Sequence, residues 1–120
     1  MQQHIGALKD DRCLRSALRG NVVKSSIERW PLATSLQCAS LTVHVGDFVC
    51  YQLSAGVVSA CVADDDNQLF VIVNVFQWRG VVTGHSSLWS PTPLLAVWPA
   101  NALASPRAWY PQGEDFVMIL

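Results

Sequence analysis

Aromatic rings are the residues of this chain whose type and crowding could do chemistry. Five of its 120 residues are Trp, and Tyr51, Phe76, Trp78, Trp89 and Trp98 fall along one stretch of strand-forming sequence. Rings gathered beside a carboxylate form a cage for a methylated ammonium, with cation–π attraction worth about 0.5–2 kcal/mol. Phe76, Trp78, Trp89 and Trp98, with Asp64 as the acid, are therefore the candidate ligand-binding set. Core packing is the competing role for every ring, and Tyr51 falls on the expected core face.

Other groups offer less. Asp64-Asp65-Asp66 concentrates negative charge at a turn and suits a cation or a Lys/Arg-rich peptide. It lacks the alternating ligands and glycine of a calcium loop, so a solvated turn is the plainer reading. Gly84-His85-Ser86-Ser87 approaches the Gly-x-Ser-x-Gly nucleophile elbow without its second glycine or its strand-to-helix setting. His4 and His44 have no partner at metal-ligand spacing. Cys13, Cys38, Cys50 and Cys61 match no zinc or redox spacing, and no phosphate-cradling glycine loop occurs. The expectation is a non-catalytic chain with no cofactor and no metal.

Charge is distributed unevenly. Residues 1–29 hold six of the eight basic residues (Lys9, Arg12, Arg15, Arg19, Lys24 and Arg29) against three acids; residues 30–120 hold Arg79 and Arg107 against six acids. A basic arm on an acidic body can meet phosphates or an acidic protein. Arg12, Arg15, Arg19 and Lys24 are the candidate nucleic-acid contacts. The simpler alternative is a solvated helix face.

The elements that must position these residues follow from periodicity. Asp10 can cap a helix over 11–19, with Leu14, Ala17 and Leu18 on one stripe and Gly20 as its stop. Ser25-Ser26-Ile27-Glu28 has the form of a capping box, cut short by Pro31. Residues 31–40 read as a small, polar connector. From Leu41 the period becomes two: strands over 41–45 and 47–53, a turn at Ser54-Ala55-Gly56, a strand over 57–63, a polar turn at 64–67, and a long strand over 68–78. Short strands are expected at 81–83, 94–98 and 115–120. Pro91, Pro93, Pro99, Pro106 and Pro111 argue against long helices and central strands in the tail.

A two-residue loop at Ala55-Gly56 would set Val49 opposite Val62, Tyr51 opposite Ala60, Leu53 opposite Val58 and Cys50 opposite Cys61. The next turn would set Val62 opposite Leu69, Ala60 opposite Val71 and Val58 opposite Val73. One face then reads Val49, Tyr51, Leu53, Val58, Ala60, Val62, Leu69, Val71, Val73 and Val75, which is the expected core. The other face carries Phe48, Cys50, Gln52, Ser59, Cys61, Phe70, Ile72, Asn74 and Phe76; it is half apolar, too much so to stand fully in water. It needs a cover from the N-terminal helix, the Trp-rich tail or a partner. The barrel and its binding role both rest on this pairing scheme.

Length allows one domain: a helical arm and connector over 1–40 and a small, partly open antiparallel β-barrel over 41–120. Apolar residues make up 51% and charged residues 14% of the chain, against roughly 25% charged in ordinary globular chains. Part of the surface is therefore expected to be covered by a partner or by flanking domains of a longer parent chain. The polar start predicts no signal peptide, no run predicts a membrane span, and the thiols are expected reduced in an intracellular chain.

Val45-Gly46-Asp47-Phe48-Val49, then 57–64, then 69–78, resembles the opening of a bromo-adjacent homology (BAH) domain. Ser87-Leu88-Trp89-Ser90 leading into 94–103 resembles that family's closing strand and turn, so the likeness spans about residues 41–105. The family's Arg-Pro-x-Glu-Thr segment is replaced here by Gln77-Trp78-Arg79-Gly80, so its peptide-reading residues are not carried over. The resemblance implies a nuclear, chromatin-associated module whose partner is a protein or peptide such as a histone tail. The Trp89-Ser90-Pro91 and Ala108-Trp109-Tyr110-Pro111 pieces also resemble C-terminal segments of transposon-derived proteins. Three functions follow: a BAH-like protein-interaction module, a nucleic-acid-binding small barrel using the basic arm, or a structural fragment of a larger protein.

Overall fold

The computed structural model describes residues 30–64 and 66–119. The helix expected over 11–19, the capping-box segment and the candidate contacts Arg12, Arg15, Arg19 and Lys24 lie outside the described residues. Within them the chain is antiparallel strand, interrupted by one 3-10 turn at Ala100–Ala102. The mainly β part of the expected fold stands; the helical arm has no counterpart among the described residues. None of their helices is long and apolar enough to cross a membrane.

Residues 31–40 are more than a connector. They carry β1 (Leu32–Ala33) and β2 (Ser35–Cys38). β2 turns at Ala39, whose φ of 55° is left-handed, and pairs with β3 (Leu41–His44) as a separate two-stranded sheet. The remaining strands are β4 (Phe48–Tyr51), β5 (Ser54–Ala63), β6 (Leu69–Val81), β7 (Ser86–Pro99), β8 (Ala108–Gln112) and β9 (Asp115–Ile119). Together with β1 they form a seven-stranded sheet in the order β1-β5-β6-β7-β9-β8, with β4 also paired to β5. The sheet curls into a half-barrel, so that Trp109 of β8 comes within 6.2 Å of Phe48 of β4.

The β4–β5 register differs from the expected one. Val49 pairs with Gly56 rather than Val62, and Tyr51 with Ser54 rather than Ala60. The chain turns at Gln52-Leu53, where Gln52 takes a φ of 56° and Leu53 is 99% exposed instead of lying in the core. The slide of six residues is even, so Val49 and Tyr51 keep their face while their partners change. Cys50 now faces Ala55, and the expected Cys50–Cys61 opposition is lost.

In the β5–β6 pair Val58 meets Val73 as expected, and then the register shifts. Ala60 meets Ile72 and Val62 meets Phe70, because Ser59 is an extra residue in β5. A bulge reverses the alternation beyond it. Cys61 therefore joins Val43, Val49, Val58, Val71, Val73 and Trp98 on one side of the sheet. Ala60 and Val62 cross to the other, with Trp30, Leu32 and Ile72. This corrects the expected single face, on which Val62 was to lie with Tyr51 and Val71. Ser59 is buried, and its hydroxyl accepts a hydrogen bond from the Asn74 side-chain amide, so the bulge leaves that polar group satisfied.

The apolar second face is covered from within the chain. Trp30 and Leu32 pack over its Ile72 end, and Trp89, Trp109, Phe116 and Met118 over its Phe48 and Phe76 end. The tail is thus a structural lid on the sheet. The expected strand over 94–98 is the end of the much longer β7, which contains Pro91 and Pro93. Its pairing with β9 stops at Trp89, so the proline stretch bonds to β6 alone. Thr92 bridges the resulting irregularity: its hydroxyl donates to the Val75 carbonyl at 2.8 Å and accepts from the Leu94 N–H at 3.1 Å. Of the two last strands, β9 matches the sequence expectation and β8 does not. Pro111 sits in β8 because that strand is the sheet's edge.

Gly56 explains why the turn lies elsewhere. It is buried inside β5, where a Cβ would fall on the Asn74 carbonyl oxygen and lie 2.5 Å from Val73 Cγ1. The residue serves close strand approach, not chain reversal. Gly56→Ala is expected to destabilise the protein by about 1–3 kcal/mol through overpacking, read as a lower midpoint in urea unfolding. An unchanged midpoint would rule out this tight approach.

Candidate binding cleft

The five residues proposed as a ligand set are dispersed by the fold. Phe76 and Trp89 are buried in an aromatic cluster around Phe48. Phe48 lies 5.7 Å from Phe76 edge-on, 6.4 Å from Trp89 and 5.3 Å from Phe116 in a stacked arrangement. The Trp89 indole N–H donates to Ser87 Oγ at 2.9 Å, which satisfies the ring inside the cluster. Trp98 is buried in the other core and tilts against Tyr51 at 5.5 Å. Trp78 pairs with Trp89 across the strands but is 55% exposed. Asp64 stands apart from all of them at the β5–β6 turn.

That turn is built around the Asp64 side chain. Its Oδ1 accepts the backbone N–H groups of Asp66 and Gln68, each at 2.8 Å. The Asp64 N–H donates to the Gln68 carbonyl at 2.9 Å, and the Asn67 N–H to the Asp64 carbonyl at 3.0 Å. Asn67 takes a φ of 63°, a conformation Asn tolerates well. An aspartate here closes the loop from its base, and Asp66 adds an exposed acid within it.

Beside the turn lies a cleft of about 340 Å³ lined by Cys38, Asn67, Gln68, Leu69, Phe70, Pro99 and Asn101. It collects the end of β2, the β5–β6 turn, the start of β6 and the end of β7 with its 3-10 turn. The side chains of Asn67, Gln68 and Asn101 bring amides, able to donate and accept, while Leu69 and Phe70 bring apolar wall. The Phe70 ring stacks on Trp30, with centroids 6.1 Å apart and planes 8° from parallel. A smaller hollow of about 180 Å³, lined by Pro31, Leu36, Cys61, Val62 and neighbours, shares Leu69 with the cleft. A recess that sets amides against an apolar wall is a common form of binding site.

Of the proposed set, only Asp64 belongs to this neighbourhood. Asn67 and Gln68 were signalled by their place directly after the acidic run. Cys38 lies in the segment whose sequence reads as a connector, and Phe70 reads from sequence only as part of a face needing cover. Nothing local in the sequence marks Asn101, which reaches the cleft through the turn that follows β7. The exposed apolar side chains Leu53, Trp78, Val81, Val82, Leu94 and Tyr110 are elsewhere, spread over several strands and turns.

Several of the remaining chemistry-bearing groups have structural partners. Ser86 Oγ donates to the Thr83 carbonyl at 2.5 Å, and Ser87 takes the Trp89 indole. The His44 backbone N–H donates to Asp47 Oδ2 at 2.9 Å, and its ring nitrogen Nδ1 lies 3.9 Å from the same oxygen. Cys38, Cys50 and Cys61 are free thiols, and the Cys50 thiol points its S–H at Met118 Sδ, 3.4 Å away. Among the described residues no three His, Cys, Asp or Glu side chains gather as a metal site. No protein-family model matches the chain, and neither the curated proteins nor the solved structures contain a significant match.

Burial raises the Cys50 thiol pKa, and burial, aided by the Asp47 carboxylate, pushes Cys61 up to about 11 from 9.0. A thiol harder to ionise when folded favours the native state fully below its unfolded pKa. That contribution disappears as pH rises from about 9 towards about 11. Stability is therefore expected to fall across that window, and Cys61→Ala should flatten the fall despite a lower stability at neutral pH. Urea unfolding at a series of alkaline pH values checks this; parallel slopes for the two proteins would refute it.

Proposed function

We propose that this chain is a non-catalytic protein-interaction module that receives a basic peptide segment in the 340 Å³ cleft. The observation that carries the reading is the joining of a recess to a negatively charged turn. Asn67 and Gln68 line the cleft and belong to the loop that Asp64 closes, so the acidic residues Asp64 and Asp66 belong to the turn that borders it. Of the arginines among the described residues, Arg79 is near the opposite end of β6 from Leu69 and Phe70, and Arg107 directly precedes β8. A lysine or arginine side chain entering here gains an opposite charge, while its methylene stem has Leu69 and Phe70 to lie against. The amides of Gln68 and Asn101 suit a peptide backbone.

A histone tail is one such segment, and the BAH-like pattern over 41–105 supports a chromatin partner and a nuclear setting. The dispersed aromatic residues are assigned to the fold, and selectivity is assigned to charge and to the cleft's amides. Rim charges act mainly on encounter and on salt dependence.

A lysine-rich peptide carrying a fluorophore, titrated with the protein at low and at high salt, tests the reading by anisotropy. Asp66→Asn with Asn101→Ala, both exposed positions, is expected to weaken binding roughly tenfold, with unchanged thermal unfolding. If this double variant binds as wild type does, or if a polyanion binds and the basic peptide does not, the cleft is not a peptide site.

A further inference from the structure

The cleft has a basic segment tethered beside it in the same chain. Trp30, the first described residue, stacks on Phe70, and Phe70 lines the cleft. Residues 1–29 directly precede Trp30 in the chain, and they carry six of the chain's eight basic residues. The turn that supplies Asn67 and Gln68 to the cleft contains Asp64 and Asp66. We propose that the chain's own basic arm, residues 1–29, occupies this cleft and competes with an external peptide for it. The inference rests on the cleft being the peptide site, and adds that the site is self-occupied.

Two physical arguments support this occupant over a second copy or an unrelated protein. The first is charge: the arm is the one strongly basic stretch of the chain, and the body's surplus of acid includes the turn that borders the cleft. The second is tethering. A ligand joined to its site by a short linker has an effective concentration in the millimolar range, far above that of a free partner. Lys24 is six residues from Trp30, an extended reach of roughly 20 Å, enough to cross a cleft of this volume. The balance shifts with ionic strength, because screening weakens exposed charge pairs. A partner with a denser run of bases then displaces the arm.

Cys38 reports on the cleft without any partner, because it lines the recess and is a free thiol. Its alkylation rate, followed by peptide mass mapping, would be measured in the full chain and in a variant with Arg12, Arg15, Arg19 and Lys24 changed to Gln. The expected result is roughly tenfold slower modification in the wild-type chain at low salt, with the difference removed at high salt. The neutralised variant should also bind the lysine-rich probe more tightly. Equal Cys38 rates in the two proteins at low salt would overturn self-occupancy, whatever the probe does. If Cys38 is protected by the arm and the probe binds neither protein, the arm's docking stands and the peptide-module reading falls.

Discussion

Everything in this fold has to satisfy the ring of Phe48. It stands on the four-residue strand β4, is 1% exposed, and touches rings contributed by β6, β7, β8 and β9. Phe76, Trp89, Trp109 and Phe116 cannot all reach one side chain if the sheet is flat, since β4 and β8 are at opposite ends of the strand order. Curling the sheet is the only way to bring them together. Aromatic pairs in offset or edge-on geometry add about 0.5–1.5 kcal/mol each beyond their buried area. The cluster is therefore strong enough to hold a curvature that twist alone would leave shallow.

The bulges make that curvature possible. The extra Ser59 in β5, the extra Arg79 in β6 and the irregularity opposite Val75 bend the strands where strict pairing would keep them straight. Each has a consequence for packing. At Ser59 the alternation reverses, so Ala60 and Val62 face Trp30 and Leu32 while Cys61 is buried with the valines. The result is a strand, β5, with an unbroken buried run from Val58 to Val62. A strand buried on both sides needs no polar face, and this is where much of the chain's unusually apolar composition goes.

The sequence expressed these features unequally. Mainly β character, the long sixth strand and the last strand were legible because β-branched and aromatic residues alternate there over many positions. The Val58–Val73 pairing and the faces of Val49 and Val71 were legible for the same reason. The β4–β5 turn was not, because Ala55-Gly56 carries the stronger turn signal than Gln52-Leu53. Gly56 answers to a neighbouring backbone that no local rule can see. The reversal at Ser59 was equally hidden, since a serine between valines reads as an ordinary polar position. β7 was fragmented on paper by its prolines, which are tolerated only because β9 ends its pairing at Trp89. As for the candidate site, the acidic turn was visible and the aromatic cage was not where it was sought: most of those rings are spent holding the sheet closed.

That expenditure bears on where binding can occur. A ring that is buried among four others has no face left for a ligand, and removing it would cost about 3–5 kcal/mol of stability. Sites of exchange belong where side chains are held by backbone turns, and partners can displace water without dismantling packing. The β5–β6 turn meets that condition, because Asp64 fixes its shape through main-chain hydrogen bonds. Asn67, Gln68 and Asn101 are exposed there and can change partners cheaply. Phe70 links the two regimes: one contact ties it to Trp30 and the core, another wall of it borders the cleft. Whatever enters the cleft therefore meets a ring whose position is already fixed by its stack on Trp30.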